Sequence, residues 1–225
     1  MENSPTNCAR CPFKISDRLC REESGKSPEF CPTANLEELA KESLEKFRSD
    51  PGVCEFARQA SIQEGNGYGN REQGYEHVRP IKTRIEEIIE FSGRMKYKRL
   101  GMAFCVGLRK EAKVVENLLS SQGFEVVSVV CKVGRNPKEV IGLARDEQID
   151  AGKDEAMCNP ILQAMVLNHE KTEFNILLGL CVGHDSMFFK YADALCTVLA
   201  VKDRVLGHNP LAAIYNVDSY YRSIK

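Results

Sequence analysis

A chain of 225 residues with 43% hydrophobic and 28% charged residues is long enough for one ordinary domain and a small appendage. Its net charge of −1 gives no global field to attract nucleic acid or an anionic membrane, and no apolar run approaches the roughly 18 residues of a spanning helix. The start "MENSPTNCAR" lacks the basic and apolar stretches of a secretory signal, so a soluble, cytoplasmic protein is expected.

Residues 1–35 contain Cys8, Cys11, Cys20 and Cys31 and four of the nine prolines. With so few aliphatic residues this segment cannot build a core and needs another staple. Cys8 and Cys11 form a C-x2-C pair, and Cys20 and Cys31 complete a set of four thiols suited to zinc or an iron–sulfur cluster. A small metal knuckle held by these four cysteines is the expectation.

Residues 36–96 read as helical. "NLEELAKESLEKF" offers Asn35 as an N-cap and repeats Leu36, Leu39, Leu44 and Phe47 on one face. "DPGVCEFARQASIQEG" gives a second helix with Pro51 early. Gly and Asn in "GNGYGNREQG" break the pattern, and "RPIKTRIEEIIEFSGRM" gives a third helix with Ile81, Ile85, Ile88 and Ile89.

From residue 97 to 225 strands and helices alternate. "RLGMAFCVGL", "FEVVSVVCKVG", "FNILLGLCVG" and "CTVLAVKD" are the strands. "KEAKVVENLLSSQG", "NPKEVIGLARDEQ", "NPILQAMVLNHE" and "NPLAAIYNVDSYYRS" are the helices, and "VGHDS" starts another. This order predicts an α/β fold with an open, mostly parallel, doubly wound sheet, preceded by the helical segment and the knuckle.

Ten cysteines point to metal or redox chemistry in a reducing compartment. Cys105, Cys131 and Cys181 fall at strand ends and Cys158 at a helix start, with 25, 26 and 22 residues between successive members. One strand and one returning helix consume about that length. In a parallel sheet all carboxyl ends share one edge, where ligands bind and helix N-termini favour thiolates. The four cysteines are therefore candidate ligands of one iron–sulfur cluster, of the 4Fe-4S type, or of zinc. Cys54 and Cys196 read as small apolar fillers.

A second reading takes "GLCVG" as a thiol form of the strand–turn–helix nucleophile motif. Cys181 would then act with His184 or His208 as base and Asp203 as its orienter. His184, Asp185 and Arg109 are candidate catalytic groups beside the thiols, with Lys202 and Arg204 as further anion clamps. Neither dinucleotide nor triphosphate motifs are present, and basic–aromatic interleaving for nucleic acid is absent.

"MAFCVGL", "MCNPILQA", "GLCVGHD" and "VKDRVLGHNP", behind a Cys-rich start, resemble an uncharacterised family of anaerobic bacteria and archaea labelled as metal-binding proteins or domains of unknown function. The resemblance implies metal binding and carries Cys105, Cys158, Cys181, His184, Asp185, Asp203 and His208 as motif positions; Cys131 lies outside it.

The leading expectation is a cytoplasmic metalloprotein acting on a small molecule or with a redox partner protein, and binding neither nucleic acid nor membrane. A thiol hydrolase or amidotransferase-like enzyme using Cys181, and a non-catalytic structural zinc protein, are the alternatives.

Overall fold

The computed structural model describes residues 5–224. The chain divides into two compact units, residues 1–65 and 66–225.

The first unit opens with short turns around Cys8 and Cys11 and continues into α1 (Pro32–Asn35), α2 (Glu37–Ser49) and α3 (Pro51–Asn66). Asn35 does not cap α2 as expected. Pro32 starts a separate helical turn that ends at Asn35, and the Asn35 amide donates to the Glu29 carbonyl instead. The apolar stripe of α2 stays exposed at Leu36, Leu39, Leu44 and Phe47. Cys54 is exposed as well, so it is not the buried filler its pattern suggested.

In the second unit a two-stranded ladder, β1 (Tyr68–Gly69) with β2 (Arg79–Pro80), precedes α4 (Arg84–Arg94). This helix starts later than the isoleucine pattern implies. Thr83 donates its N–H and its hydroxyl to the Glu86 carboxylate, and this cap fixes the start beyond Ile81. The chain then runs β3 (Arg99–Phe104), α5 (Arg109–Ser121), β4 (Glu125–Val130), α6 (Pro160–His169), β5 (Phe174–Leu180), α7 (His184–Tyr191), β6 (Cys196–Val201) and α8 (Leu211–Tyr215).

The four long strands form an all-parallel sheet in the order β4-β3-β5-β6. β5 is buried along its whole length because it lies inside the sheet with helices on both faces. Ala103, Val129, Ala164, Leu167, Leu177, Leu180 and Phe188 form the core on the α6–α7 face, and Cys105 and Cys131 close it at the carboxyl edge. On the other face α4 sets Phe91 against Phe174, with ring centroids 5.5 Å apart. The right-handed crossovers bring the N-termini of α5, α6 and α7 to the same edge.

Two expected helices differ. "NPKEVIGLARDEQ" forms two short 3-10 turns, Lys138–Ile141 and Arg145–Glu147, because Gly142 takes a left-handed conformation between them. The closing helix stops at Tyr215. The Asn216 side chain donates back to the Ala212 carbonyl, and the chain turns.

Candidate functional site

Each strand end delivers its cysteine through the ladder itself. Cys105 follows β3 and donates its N–H to the Leu178 carbonyl at 3.1 Å. Cys131 follows β4 and donates its N–H to the Phe104 carbonyl at 2.9 Å. Parallel pairing thus continues one residue past both strands and sets the two cysteines side by side. The fully buried Gln163 pins this edge, donating to the Val129 carbonyl at 2.7 Å and the Phe104 carbonyl at 3.3 Å.

Cys158 arrives from the far end of a long excursion between β4 and α6. Asn159 donates its N–H to the Cys131 carbonyl at 2.8 Å, and its side chain caps α6 by accepting from the Leu162 N–H at 2.9 Å. The neck of the excursion is laced by Met157 to Asn136, Lys138 to Glu155, and the Lys132 ammonium to the Ala156 carbonyl. His184 begins α7, with its N–H on the Cys181 carbonyl at 3.0 Å.

These elements assemble a continuous row of side chains. The Cys105 sulfur meets the Lys202 ammonium on one side and the Cys131 thiol on the other. Cys131 in turn meets Cys158, and Cys158 meets the His184 ring. Backbone donors complete the set: Gly107 donates to the Cys105 sulfur, and Val106 donates to the Cys131 sulfur at 3.3 Å.

The electrostatics follow from the sharing of protons. The Cys131 thiol holds Cys105 down to about 5, helped by the Gly107 N–H and Lys202. Cys158 is lowered to about 4 by the Cys131 thiol first and by His184 second. Cys131 is raised because its proton serves both neighbours, and His184 is raised by the Cys158 sulfur. The N-terminus of α6, which begins just after Cys158, adds a positive potential that favours the Cys158 thiolate.

Lys202 follows β6, two strands away from Cys105. Its reach passes Gly179 of β5 and Gly107, where an added Cβ would lie 3.7 Å from the ammonium nitrogen in each case. Gly179 also has φ +67°, and a Cβ there would lie 2.2 Å from a methyl of Leu108. Gly179→Ala is therefore expected to cost about 2–4 kcal/mol, from left-handed strain plus overpacking, measured as a lower urea midpoint.

The other expected site residues are placed differently. The Cys181 sulfur accepts from the Arg204 guanidinium at 3.1 Å, so its side chain engages that arginine, while its carbonyl accepts the His184 N–H. Asp185 accepts from the Ser186 N–H at the start of α7 and adds negative charge beside His184. Arg109 opens α5 and lines a cleft of about 800 Å³ with Val106, Gly107, Lys110 and Lys113. Asp203 accepts from the Val205 and Leu206 N–H groups, and the His208 Nδ1 lies 3.2 Å from the Asp203 nitrogen and from the Val201 carbonyl. Both are engaged in shaping their own turn.

In the first unit Cys8 and Cys20 are exposed, and Cys11 and Cys31 half-buried. The Ala34 and Thr33 N–H groups hold Cys31 below the ordinary thiol value. Among the described residues no three His, Cys, Asp or Glu side chains surround one point as metal ligands would, either here or at the sheet edge. Sequence reasoning missed the Val106 and Gly107 donors and the contact of Lys202 with sulfur. The small residue two places after Cys105 is the signal that carried the first.

Comparison with known proteins gives two matches. The family model described as "Protein of unknown function (DUF1847)" matches residues 31–199. A protein of the archaeon Methanocaldococcus jannaschii, named as uncharacterized, is 52% identical over 140 residues, which is 62% of this chain and 69% of that protein.

Proposed function

This chain belongs to the DUF1847 family, proteins of unknown function, and from that premise we propose that it is a metalloprotein whose centre lies at the carboxyl edge of the parallel sheet. Cys105, Cys131 and Cys158 would hold a soft metal, with His184 as the nitrogen donor. The observation that carries this reading is the row itself: Cys105, Cys131 and Cys158 come from three distant segments, are side-chain neighbours in that order, and end beside the His184 imidazole.

The donor chemistry fits. Thiolates and imidazole suit zinc or iron. Bonds of about 2.3 Å in a tetrahedral shell put neighbouring sulfurs about 3.8 Å apart, the range over which two sulfurs share a proton. Cys131 is the side-chain neighbour of both Cys105 and Cys158. Turning the outer sulfurs inward would close the third side.

Bound there, the ion would supply charge compensation for the thiolates and, at any open position, Lewis acidity toward a small molecule. The chain's own groups do the rest. Val106 and Gly107 N–H groups hold the sulfurs, Lys202 offsets their charge, and Arg109, Lys110 and Lys113 line a neighbouring cleft together with Glu111 and Glu116. Cys8, Cys11, Cys20 and Cys31 are proposed as a second, structural site on their spacing. Ten free thiols and the lack of any described helix long and apolar enough to cross a membrane support a cytoplasmic setting.

Metal analysis and a visible spectrum of anaerobically prepared protein test the proposal. One ion per chain is expected to vanish in Cys131→Ser and to remain in Cys181→Ser. A Co(II)-substituted sample is expected to show thiolate charge-transfer bands that Cys131→Ser abolishes. A brown protein absorbing near 400 nm would favour the iron–sulfur form. Metal content unchanged by Cys131→Ser would overturn the assignment of the edge site.

A further inference from the structure

We propose that the metal-free edge site is also a dithiol–disulfide centre in which Cys158 reacts with a low-molecular-weight disulfide and Cys131 resolves the product to a Cys131–Cys158 bond. The inference rests on the reading that these sulfurs form one centre, and it does not require that a metal ever binds.

Three observations carry it. Cys158 packs against the buried cluster that contains Cys131, and their backbones are joined by the bond from the Asn159 N–H to the Cys131 carbonyl at 2.8 Å. The bridge therefore closes a neck that is already in place, with Pro137 and Ala156 bridged one layer farther out. Cys158 is half-buried, whereas Cys131 and Cys105 are buried, so an outside disulfide meets Cys158 first. The Cys131 N–H bonds to the Phe104 carbonyl at 2.9 Å, which fixes Cys131 at the sheet edge where the bridge would form.

The step balances. The Cys158 thiolate attacks one sulfur of RSSR, a Cys158–SR bond forms, the RS–SR bond breaks, and the RS⁻ that leaves takes a proton from water. Cys131 gives its proton to water and attacks the Cys158 sulfur. The Cys158–SR bond breaks, and the second RS⁻ takes a proton from water. Two electrons pass from the protein to RSSR, giving two RSH. The new bond removes two of the proposed metal donors, so oxidation and metal binding exclude each other.

The test uses the full-length chain, stripped of metal by a chelator under anaerobic conditions and treated with oxidised glutathione. Peptide mass mapping is expected to find a 131–158 link and two fewer alkylatable thiols among the ten. Cys131→Ser is expected to trap one glutathione on Cys158. Protein preloaded with Zn(II) is expected to resist. A wild-type map without the 131–158 link overturns the proposal, as does a Cys131→Ser protein whose Cys158 stays unmodified. A link formed by a protein that binds no metal supports this inference and removes the metal reading alone.

Discussion

Between pH 6 and pH 8 the alkylation rate of Cys158 in the metal-free chain is expected to stay nearly flat, while that of an ordinary cysteine rises about a hundredfold. The reason is that Cys158 titrates at about 4, below this window, whereas an ordinary thiol at 9.0 titrates above it. A lowered value means the thiolate is present at any pH above it, so Cys158 has no further proton to lose. Two effects oppose each other in the absolute rate. At pH 6 the thiolate fraction favours Cys158 about a thousandfold, but five units of lost basicity reduce its nucleophilicity by roughly 100- to 300-fold. Cys158 is then about three to ten times faster at pH 6, and about ten times slower or worse at pH 8. The crossing of the two curves is the measurement, made by iodoacetamide labelling and peptide quantification. His184→Ala removes the imidazole that, after the Cys131 thiol, does most to favour the Cys158 thiolate, and is expected to make the rate rise with pH. A Cys158 rate that climbs in parallel with an unfolded control would show that the thiol is not ionised in this row.

Phe188→Ala is expected to destabilise the protein by about 3–5 kcal/mol, a large share of the 5–15 kcal/mol that holds a typical domain. Phe188 has 0% exposure and is the buried residue of α7. It belongs to one buried cluster with Leu167, Leu177, Leu180 and Ala164, where close packing leaves little room to relax. The consequence extends to the site. α7 has eight residues, enters through Gly183 at φ +82°, and begins with His184. Without Phe188 this helix loses its anchor and His184 loses its place beside Cys158. A lower urea midpoint with unchanged slope should accompany weaker Zn(II) binding. Met187→Ala, on the exposed side of the same helix, is the control and should shift stability by no more than about 0.5 kcal/mol. Equal effects from the two substitutions would contradict this account of the α7 anchor.

Much of the site is legible in the chain before any coordinates. Cysteines at strand ends and at a helix start predict thiols along one edge, and Cys105, Cys131 and Cys158 are side-chain neighbours there. Strand order is not legible, because it depends on which strands pair rather than on what each contains. The order β4-β3-β5-β6 decides that Lys202 reaches Cys105 across Gly179. It also leaves Cys181 facing Arg204, although its local sequence matches the other strand ends equally well. The excursion from residue 132 to 157 misleads a periodicity argument. Val140, Ile141 and Ile149 carry apolar side chains at positions that stay exposed, so spacing there reports no buried face.

The row draws on residues 105, 131, 158, 184 and 202, nearly half the chain, and no two of its neighbours are close in sequence. Its formation must wait until every crossover of the sheet has closed, since each contributor sits just beyond the last rung of a strand or at the first turn of a helix. A refolding chain that has collapsed and gained its helices would still lack it. The appearance of the ionised sulfurs, followed through their ultraviolet absorbance, is therefore a clock that strikes only at the end of folding.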